Sequence, residues 1–325
     1  MSSQAQAIPA SDQTYFAFAP SAAVIEPVTT SIGPLPEVLH GRYRIERLLG
    51  VGGMGAVYLA RDLLREQFGD PEPWIALKTL SEEFSEYSDA HALLYSEFAL
   101  TARLRHRHIV RLFGFEVDQD SRRAFITLER LNGPTLDQVL VEHPTGVPWP
   151  LLREIAVPLL EALQYSHSAG ALHGDIKPSN IILTEDGLRL FDYGLGQPLH
   201  DLLPGLPRLA RHRFAAWTPR YAAPELLDGH ELTATADVFA VGCVLHELAA
   251  GEHPFRRLSA KQAKALALDA ALKCPPGLPA ACWKALRQAL RFEPTARPDS
   301  VTPLLEAFRQ PQPSRWKRWL GLHHG

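Results

Sequence analysis

The chain has 325 residues, of which 46% are hydrophobic and 21% are charged, and its formal net charge at pH 7 is -3. This composition is typical of a soluble globular protein, and the slight acidic excess argues against nucleic-acid binding by neutralisation of phosphates. Three cysteines without a CxxC pair, no long apolar run and no signal peptide disfavour a disulfide framework, a membrane span and secretion, so we expect a cytoplasmic protein.

The sequence divides into four segments. Residues 1–38 are rich in Ala, Pro, Ser and Thr without periodicity, which predicts a disordered tail. Residues 39–131 contain five strand-like runs and one helical run, residues 132–309 are mostly helical, and residues 310–325 form a C-terminal tail. We predict an α+β fold with a small β-rich lobe, a larger helical lobe and a ligand-binding cleft between them.

A glycine-rich turn, "LLGVGGMGAVYLA", joins the first two predicted strands. Gly50, Gly52 and Gly55 form a GxGxxG pattern, but strand-like sequence follows it, whereas a dinucleotide-binding glycine turn leads into a helix. Glycines in a strand–turn–strand let backbone amides approach phosphates. An ordinary glycine hairpin is the alternative that this segment alone leaves open. The next connection, "DLLREQFGDPEPW", is long and is predicted to be a loop.

Two charged residues lie in otherwise apolar segments of the first lobe. Lys78 is the single charge in the strand-like "WIALKTL", and Glu97 lies among leucines and phenylalanine in the helical "LLYSEFALTARL". Inward-facing charges are costly unless they pair. We therefore expect Lys78 to pair with Glu97 near a phosphate, and a lysine on an exposed sheet edge is the alternative.

The densest polar group is in "LHGDIKPSNIIL" and the following "LRLFDYGLG". Asn180 lies between Asp175 and Asp192 in this stretch. Two carboxylates and an amide near a triphosphate supply the oxygen ligands that Mg²⁺ requires. A free carboxylate beside a substrate hydroxyl can also accept its proton.

In this order, the motifs resemble those of the eukaryotic-type (Hanks-type) serine/threonine protein kinases over about residues 41 to 309, and "GVGGMGAVY" is similar to the bacterial members. The resemblance implies the bilobal kinase fold, with a first lobe at residues 39–131 and a second at 132–309. It implies transfer of the γ-phosphate of ATP to Ser or Thr hydroxyls of protein substrates. It also implies Mg²⁺, with Mn²⁺ as an alternative, and an opposing metal-dependent protein phosphatase as a partner.

The resemblance further assigns roles to single residues. Lys78 is expected to hold the α- and β-phosphates and Glu97 to pair with it. Asp175 is expected to face the substrate hydroxyl, with Lys177 at the γ-phosphate and Thr218 positioning both. The implied metal ligands are Asn180 and Asp192. The implied nucleotide contacts are Leu49, Gly50, Val51, Gly52, Gly53, Met54, Gly55, Val57, Ala76, Lys78, Ile182 and the backbone of Glu129 and Leu131. The implied structural residues are Ala223-Pro224-Glu225 with Arg297, and Asp237 beneath the catalytic loop.

Two departures from the family pattern concern the catalytic and activation segments. Gly174 makes the motif HGD where most members have arginine, which clamps a phosphate on the activation segment. From Gly194 to Trp217 the chain has no Ser, Thr or Tyr, so we predict activity without phosphorylation there and autophosphorylation, if any, in the N-terminal tail. Arg208, Arg211 and Arg213 are either simple solvated charges or residues that favour acidic substrates. Tyr193, in place of the usual Phe, is expected to keep the packing role.

Two other functions remain open from the sequence. HGD with a following Asn also occurs in small-molecule phosphotransferases of the aminoglycoside and choline type, but these lack the Ala223-Pro224-Glu225 segment. A pseudokinase scaffold is the second alternative, although Lys78, Asp175, Asn180 and Asp192 are all present.

Overall fold

The computed structural model describes residues 35–52, 55–80, 90–194, 196–198, 218–256 and 258–310, so most of both predicted tails lies outside the described residues. The strands are β1 (Val38–Leu39), β2 (Tyr43–Val51), β3 (Gly55–Asp62), β4 (Trp74–Leu80), β5 (Leu112–Val117), β6 (Ala124–Leu128), β7 (Ala171–Leu172), β8 (Ile181–Thr184), β9 (Gly187–Leu190) and β10 (Gln197–Pro198). The α-helices are α1 (Leu63–Gln67), α2 (Ala90–Thr101), α3 (Leu136–Glu142), α4 (Trp149–Ser168), α5 (Pro224–Leu227), α6 (Ala234–Ala250), α7 (Ala260–Ala265), α8 (Ala280–Ala289) and α9 (Thr302–Arg309).

The N-terminal part is an antiparallel sheet with the strand order β1-β2-β3-β4-β6-β5. Period-2 alternation along β4 and β6 sends their side chains to opposite faces. One face packs on α2, where Leu93 and Leu94 contact Ile126. The other face buries Leu77 and Phe125 in a separate cluster. Because both faces of β4 are covered, a lysine on this strand is removed from bulk water.

The connection between β3 and β4 is wrongly predicted as a loop, because it contains the short helix α1. Asp62 accepts hydrogen bonds from the amides of Leu64 (3.1 Å) and Arg65 (3.4 Å), and so caps the first turn. Arg42 donates to both carboxylate oxygens of Asp62, at 2.9 and 2.6 Å, and holds the cap in place. The sequence signal was an aspartate directly before five helix-compatible residues.

The C-terminal part is mostly helical and forms the largest core. Every residue from Ala236 to Ala249 of α6 is buried, and α4, α8 and α9 pack around this helix or on each other. The helix begins at the Thr233 cap and ends at Gly251, whose φ of 75° suits glycine. The prediction of a small β-rich lobe followed by a larger helical lobe is confirmed.

Two segments connect the lobes and define the cleft. Residues 129–135 lead from β6 to α3, and Thr135 forms an isolated bridge with Ile182. Earlier in the chain, the Val110 amide donates to the Leu190 carbonyl over 3.0 Å, and the Leu190 amide donates to the His108 carbonyl over 2.8 Å. Throughout the described ranges, we find no helix with the length and apolarity needed to cross a membrane.

Candidate active site

The first group of charges spans the cleft. Nζ of Lys78, on β4, lies 2.6 and 2.8 Å from the carboxylate oxygens of Glu97 on α2, and 2.7 Å from Oδ1 of Asp192 after β9. Burial acts to lower the pKa of Lys78, but the two carboxylates outweigh it and raise that pKa above its ordinary value. Burial likewise acts to raise the pKa of Asp192, and the ammonium of Lys78 outweighs it, so that pKa is lowered. Lys78 and Asp192 are therefore charged at neutral pH, and the expected Lys78–Glu97 pair is present.

The second group surrounds the carboxylate of Asp175. Thr218 Oγ1 donates to Oδ1 over 2.9 Å, Lys177 Nζ lies 2.7 Å from Oδ2, and Asn180 Nδ2 donates to Oδ2 over 3.2 Å. Asn180 also donates to the backbone carbonyl of Asp175 over 2.8 Å, and Lys177 donates to Thr218 Oγ1 over 3.1 Å. A carboxylate offers about four lone-pair sites, so the three donors found among the described residues leave one of them, on Oδ1, for another hydroxyl.

Asp237 fixes the backbone of the catalytic loop from below. The amides of His173 and Gly174 each donate to its carboxylate over 2.9 Å, and His167 Nε2 lies 2.9 Å from Oδ2. Burial acts to raise the pKa of Asp237, but the His167 hydrogen bond and the other partners keep that pKa below its ordinary value. An ionised carboxylate that is 1% exposed thus sets the position of the loop one residue before Asp175.

His173 connects the catalytic loop to the segment that carries Asp192, and sequence reasoning did not assign it a role. Its Nδ1 accepts from the Asp175 amide over 3.2 Å, so Nε2 carries the proton and donates to the Phe191 carbonyl over 3.1 Å. Burial lowers the pKa of His173 and keeps the ring neutral. The only sequence signal was its place beside Gly174-Asp175.

The backbone conformation at position 174 favours glycine, in addition to the missing phosphate acceptors noted from the sequence. Its φ is 79°, in the left-handed region that glycine adopts without the steric cost of a Cβ. The proposed link between Gly174 and the missing phosphate acceptors remains a prediction, since Leu195 and residues 199–217, including Arg208, Arg211, Arg213 and Trp217, lie outside the described residues.

Replacing Gly174 by alanine is expected to lower the free energy of unfolding by about 1 kcal/mol, because alanine must adopt a left-handed conformation. Urea unfolding measures the change. Gly229→Ala is the matched control, since Gly229 has a φ of 87° and no heavy atom within 4 Å of the position that a Cβ would occupy. A Gly174→Ala protein as stable as wild type, beside a weakened Gly229→Ala, would contradict the conformational reason.

Two of the residues expected to contact a nucleotide lie beside Lys78 and beside the connection between the lobes, since Val57 pairs with Lys78 and Ile182 forms the bridge with Thr135. Ala76 and Ile182 are buried, Val57 is half-buried, and Leu49 is 40% exposed on β2. The remaining expected contacts on the turn are Gly50, Val51, Gly52 and Gly55, whereas Gly53 and Met54 lie outside the described residues. At Gly55 a Cβ would lie 2.1 Å from the Thr79 carbonyl oxygen, so β3 and β4 can approach this closely only with glycine there.

Glu129 and Leu131 lie on the connection between the lobes, where a nucleotide base would meet backbone groups. The amide of Glu129 already donates to the Arg111 carbonyl over 2.9 Å. Its side chain accepts from the Arg111 amide over 2.8 Å. The amide of Glu129 is thus engaged, and its carbonyl together with the backbone of Leu131 forms the edge expected to face a base.

The oxygen set at Asn180 and Asp192 is compatible with Mg²⁺. The Phe191 amide donates to the Asn180 carbonyl over 3.1 Å. Asp192 is the residue after Phe191, so it lies close to the Asn180 backbone. Asn180 uses its NH₂ group toward Asp175, so its side-chain oxygen is available to a cation. In the described ranges, no group of three or more His, Cys, Asp or Glu side chains could hold a metal alone. A cation here would take further ligands from phosphates and water, as Mg²⁺ commonly does.

A further ion pair, between Glu225 at the start of α5 and Arg297, lies in the helical lobe. Arg297, whose side chain is fully buried, donates to both carboxylate oxygens of Glu225 at 2.6 and 2.8 Å. It also donates to three backbone carbonyls, those of Arg291, Phe292 and Thr235. The guanidinium is therefore hydrogen-bonded on all its nitrogens, which is the arrangement expected for a buried ion pair.

Comparisons with known proteins show which family and which relatives the chain resembles. The model of the family described as "Protein kinase domain" matches residues 43–308. The chain is 33% identical over 224 residues to the probable serine/threonine-protein kinase PknB of Corynebacterium glutamicum, covering 67% of this chain and 33% of that protein. It is 31% identical over 266 residues to the serine/threonine-protein kinase PknH of Mycobacterium tuberculosis, covering 80% and 40%. It is 32% identical over 275 residues to PkaA of Streptomyces coelicolor, covering 80% and 48%. The chain thus spans about a third to a half of the length of these relatives.

Proposed function

Since the chain belongs to the protein kinase domain family, we propose that it is a serine/threonine protein kinase that transfers the γ-phosphate of ATP to hydroxyls of protein substrates. Members of this family generally use ATP and Mg²⁺. The observation that carries the proposal is that two charge clusters lie close together, Lys78 with Glu97 and Asp192, and Asp175 with Lys177 and Asn180. The hydrogen bond from the Phe191 amide to the Asn180 carbonyl connects them.

The residues divide the work of positioning and charge stabilisation. Lys78 is placed to hold nucleotide phosphates, and Glu97 orients its ammonium. Asn180 and Asp192 would hold Mg²⁺, which supplies charge neutralisation between the phosphates when bound. The remaining lone pair on Oδ1 of Asp175 is placed to accept the proton of a substrate hydroxyl. Lys177 and Thr218 fix that carboxylate from two sides, so little reorganisation is needed when the substrate arrives.

The same residues argue against the two alternatives. A scaffold without catalysis has no need to place three donors around Asp175, and the complete charge set favours an enzyme. The buried Glu225–Arg297 pair holds the Ala223-Pro224-Glu225 segment at the start of α5, which the small-molecule phosphotransferases lack, and thus favours a protein substrate. The relatives named as serine/threonine-protein kinases support hydroxyl acceptors of that kind. The cytoplasmic location expected from the composition and the opposing metal-dependent phosphatase implied by the resemblance both remain predictions.

We further propose that activity does not depend on phosphorylation of the segment between Gly194 and Trp217, which contains no Ser, Thr or Tyr. The Lys78–Glu97 and Lys78–Asp192 contacts are made by side chains that lie outside that segment. Protein from a host without endogenous kinases, treated with phosphatase, is therefore expected to transfer labelled phosphate from Mg-ATP to Ser and Thr without a lag. Mass spectrometry of the product locates the labelled sites, and we expect sites on the chain itself to lie in residues 1–38.

Lys78→Met is the control for this experiment and is expected to abolish transfer. A lag that disappears after preincubation with ATP would contradict independence from phosphorylation. No transfer by wild type to itself or to generic protein substrates, with ATP binding intact, would favour the scaffold alternative.

A further inference from the structure

A buried hydrogen bond joins Tyr193 to helix α4, directly beside the proposed metal ligand Asp192. The Tyr193 hydroxyl lies 2.7 Å from Oγ of Ser166. Tyr193 is 1% exposed and Ser166 is not exposed at all. The sequence predicts only a packing role at position 193, and that role is also present, since the ring lies 4.4 Å from the ring of His173. The hydroxyl adds a directional contact that a phenylalanine cannot make.

The segment around Tyr193 has a backbone that needs external support. Asp192 has a φ of 68°, which is unusual for a residue other than glycine and persists only where the surroundings enforce it. Next to it, a Cβ on Gly194 would come within 3.2 Å of Asp192 Oδ1 and 3.3 Å of Glu97 Oε2. The Asp192 carboxylate reaches Lys78 from this constrained conformation, so small changes in the segment would move it.

The other anchors of this segment lie on both sides of Tyr193. The Phe191 carbonyl accepts from His173, and the Gly196 amide donates to the Tyr193 carbonyl over 2.7 Å. Further along, β10 pairs with β7. These contacts fix the backbone before and after residue 193, whereas the Tyr193 hydroxyl is the side-chain contact that ties the segment to the core helix α4.

We propose that Tyr193 and Ser166 are positioning residues, whose hydrogen bond holds residues 191–194 in the conformation that presents Asp192 to Lys78 and to a bound metal. The inference rests on the proposed function for its catalytic consequence, but the effect on the segment is independent of catalysis. Ser166 lies 27 residues before Tyr193 on a separate element, so the bond also couples the position of α4 to the site.

The physical basis for a test is the asymmetry of buried hydrogen bonds. Removing one partner leaves the other buried and unsatisfied, whereas removing both is nearly neutral. Ser166→Ala therefore leaves the buried Tyr193 hydroxyl without its hydrogen-bond partner. Tyr193→Phe is expected to be milder, because a serine hydroxyl in a helix can turn to the carbonyl four residues earlier, that of Ala162.

The experiment is a double-mutant cycle on the full chain with Ser166→Ala, Tyr193→Phe and the double variant. Hydrogen–deuterium exchange of the amides of residues 191–194, 196 and 197, without nucleotide or metal, is the first readout. We expect about tenfold faster exchange in Ser166→Ala than in wild type, and a change below about twofold when Ser166→Ala is made in the Tyr193→Phe background. The second readout is the Mg²⁺ concentration for half-maximal transfer, which should rise in Ser166→Ala and return in the double variant.

Ser168→Ala is the matched control, since this exposed serine lies on the same helix and its hydroxyl donates to the Tyr165 carbonyl; it should change neither readout. Equal effects of Ser166→Ala in the wild-type and Tyr193→Phe backgrounds would overturn the proposal. If Ser166→Ala alone fails to fold while the double variant folds, the same coupling is demonstrated. Coupled exchange in a protein that transfers no phosphate would uphold the bond's effect on the segment and overturn the proposed function instead.

Discussion

Replacing Asp175 by asparagine is expected to slow phosphoryl transfer by about a hundredfold to ten-thousandfold, the usual contribution of a positioned proton acceptor. Asparagine keeps the size of the side chain but removes its negative charge. It also turns an NH₂ group toward one of the donors, Thr218 or Lys177, that now point at the carboxylate. The rate of labelled γ-phosphate transfer at saturating ATP measures the effect.

Nucleotide binding separates this loss from a damaged fold. Asp175 is not among the residues that we expect to contact the base or the α- and β-phosphates, so Asp175→Asn should still bind ATP. The exposed Asp186, on the turn between β8 and β9, supplies the control substitution Asp186→Asn, which should leave transfer unchanged. Transfer by Asp175→Asn at more than about a tenth of the wild-type rate would argue against its role as the proton acceptor.

The largest effect on stability is expected at Arg297. Arg297→Met leaves the Glu225 carboxylate, which is 12% exposed, without its charged partner, and removes a donor from each of three backbone carbonyls. Breaking a buried pair by removing one charge typically costs about 3–5 kcal/mol. We expect a decrease of that size in the free energy of unfolding, measured by urea titration with circular dichroism.

A surface pair of the same length provides the comparison. Arg309 lies 2.6 Å from Glu161, but its side chain is 51% exposed, so Arg309→Met should cost no more than about 1 kcal/mol. The double variant Glu225→Gln/Arg297→Met should recover part of the loss, since it leaves no buried unpaired charge. If Arg297→Met and Arg309→Met were equally mild, burial would not be what makes the first pair important.

The sequence was informative where a charged residue interrupts a regular apolar segment. Lys78 and Glu97 were identifiable because each interrupts an apolar segment, and such charges must find partners when the segment is buried. The two-lobed arrangement followed from the change from strand-like to helical periodicity near residue 132. Helix α1 was missed because five residues are too few for a periodic signal, and its stability depends on the cap at Asp62.

The features that could not be predicted from the sequence depend on contacts between residues that are far apart in the chain. Nothing near Tyr193 in the sequence indicates that its hydroxyl meets Ser166, and the role of His173 follows only from the folded positions of Asp175 and Phe191. The left-handed backbone at Gly174 is likewise a property of the loop held by Asp237. A sequence pattern shows which residue types are present, whereas these contacts and this backbone conformation depend on the tertiary structure.

The pairing of His108–Val110 with Leu190 has a consequence for how the cleft can open. These residues precede β5 in the chain, yet two backbone hydrogen bonds tie them to β9. Together with the connection at residues 129–135, they define an axis that a relative rotation of the lobes would leave in place. In such a rotation Lys78 on β4 would move together with Glu97, because α2 packs on the sheet, whereas Asp192 would stay with β9. Opening of the cleft would therefore separate Lys78 from Asp192 and leave the Lys78–Glu97 pair intact. The Lys78–Asp192 pair thus depends on the relative position of the two lobes, whereas the Lys78–Glu97 pair does not.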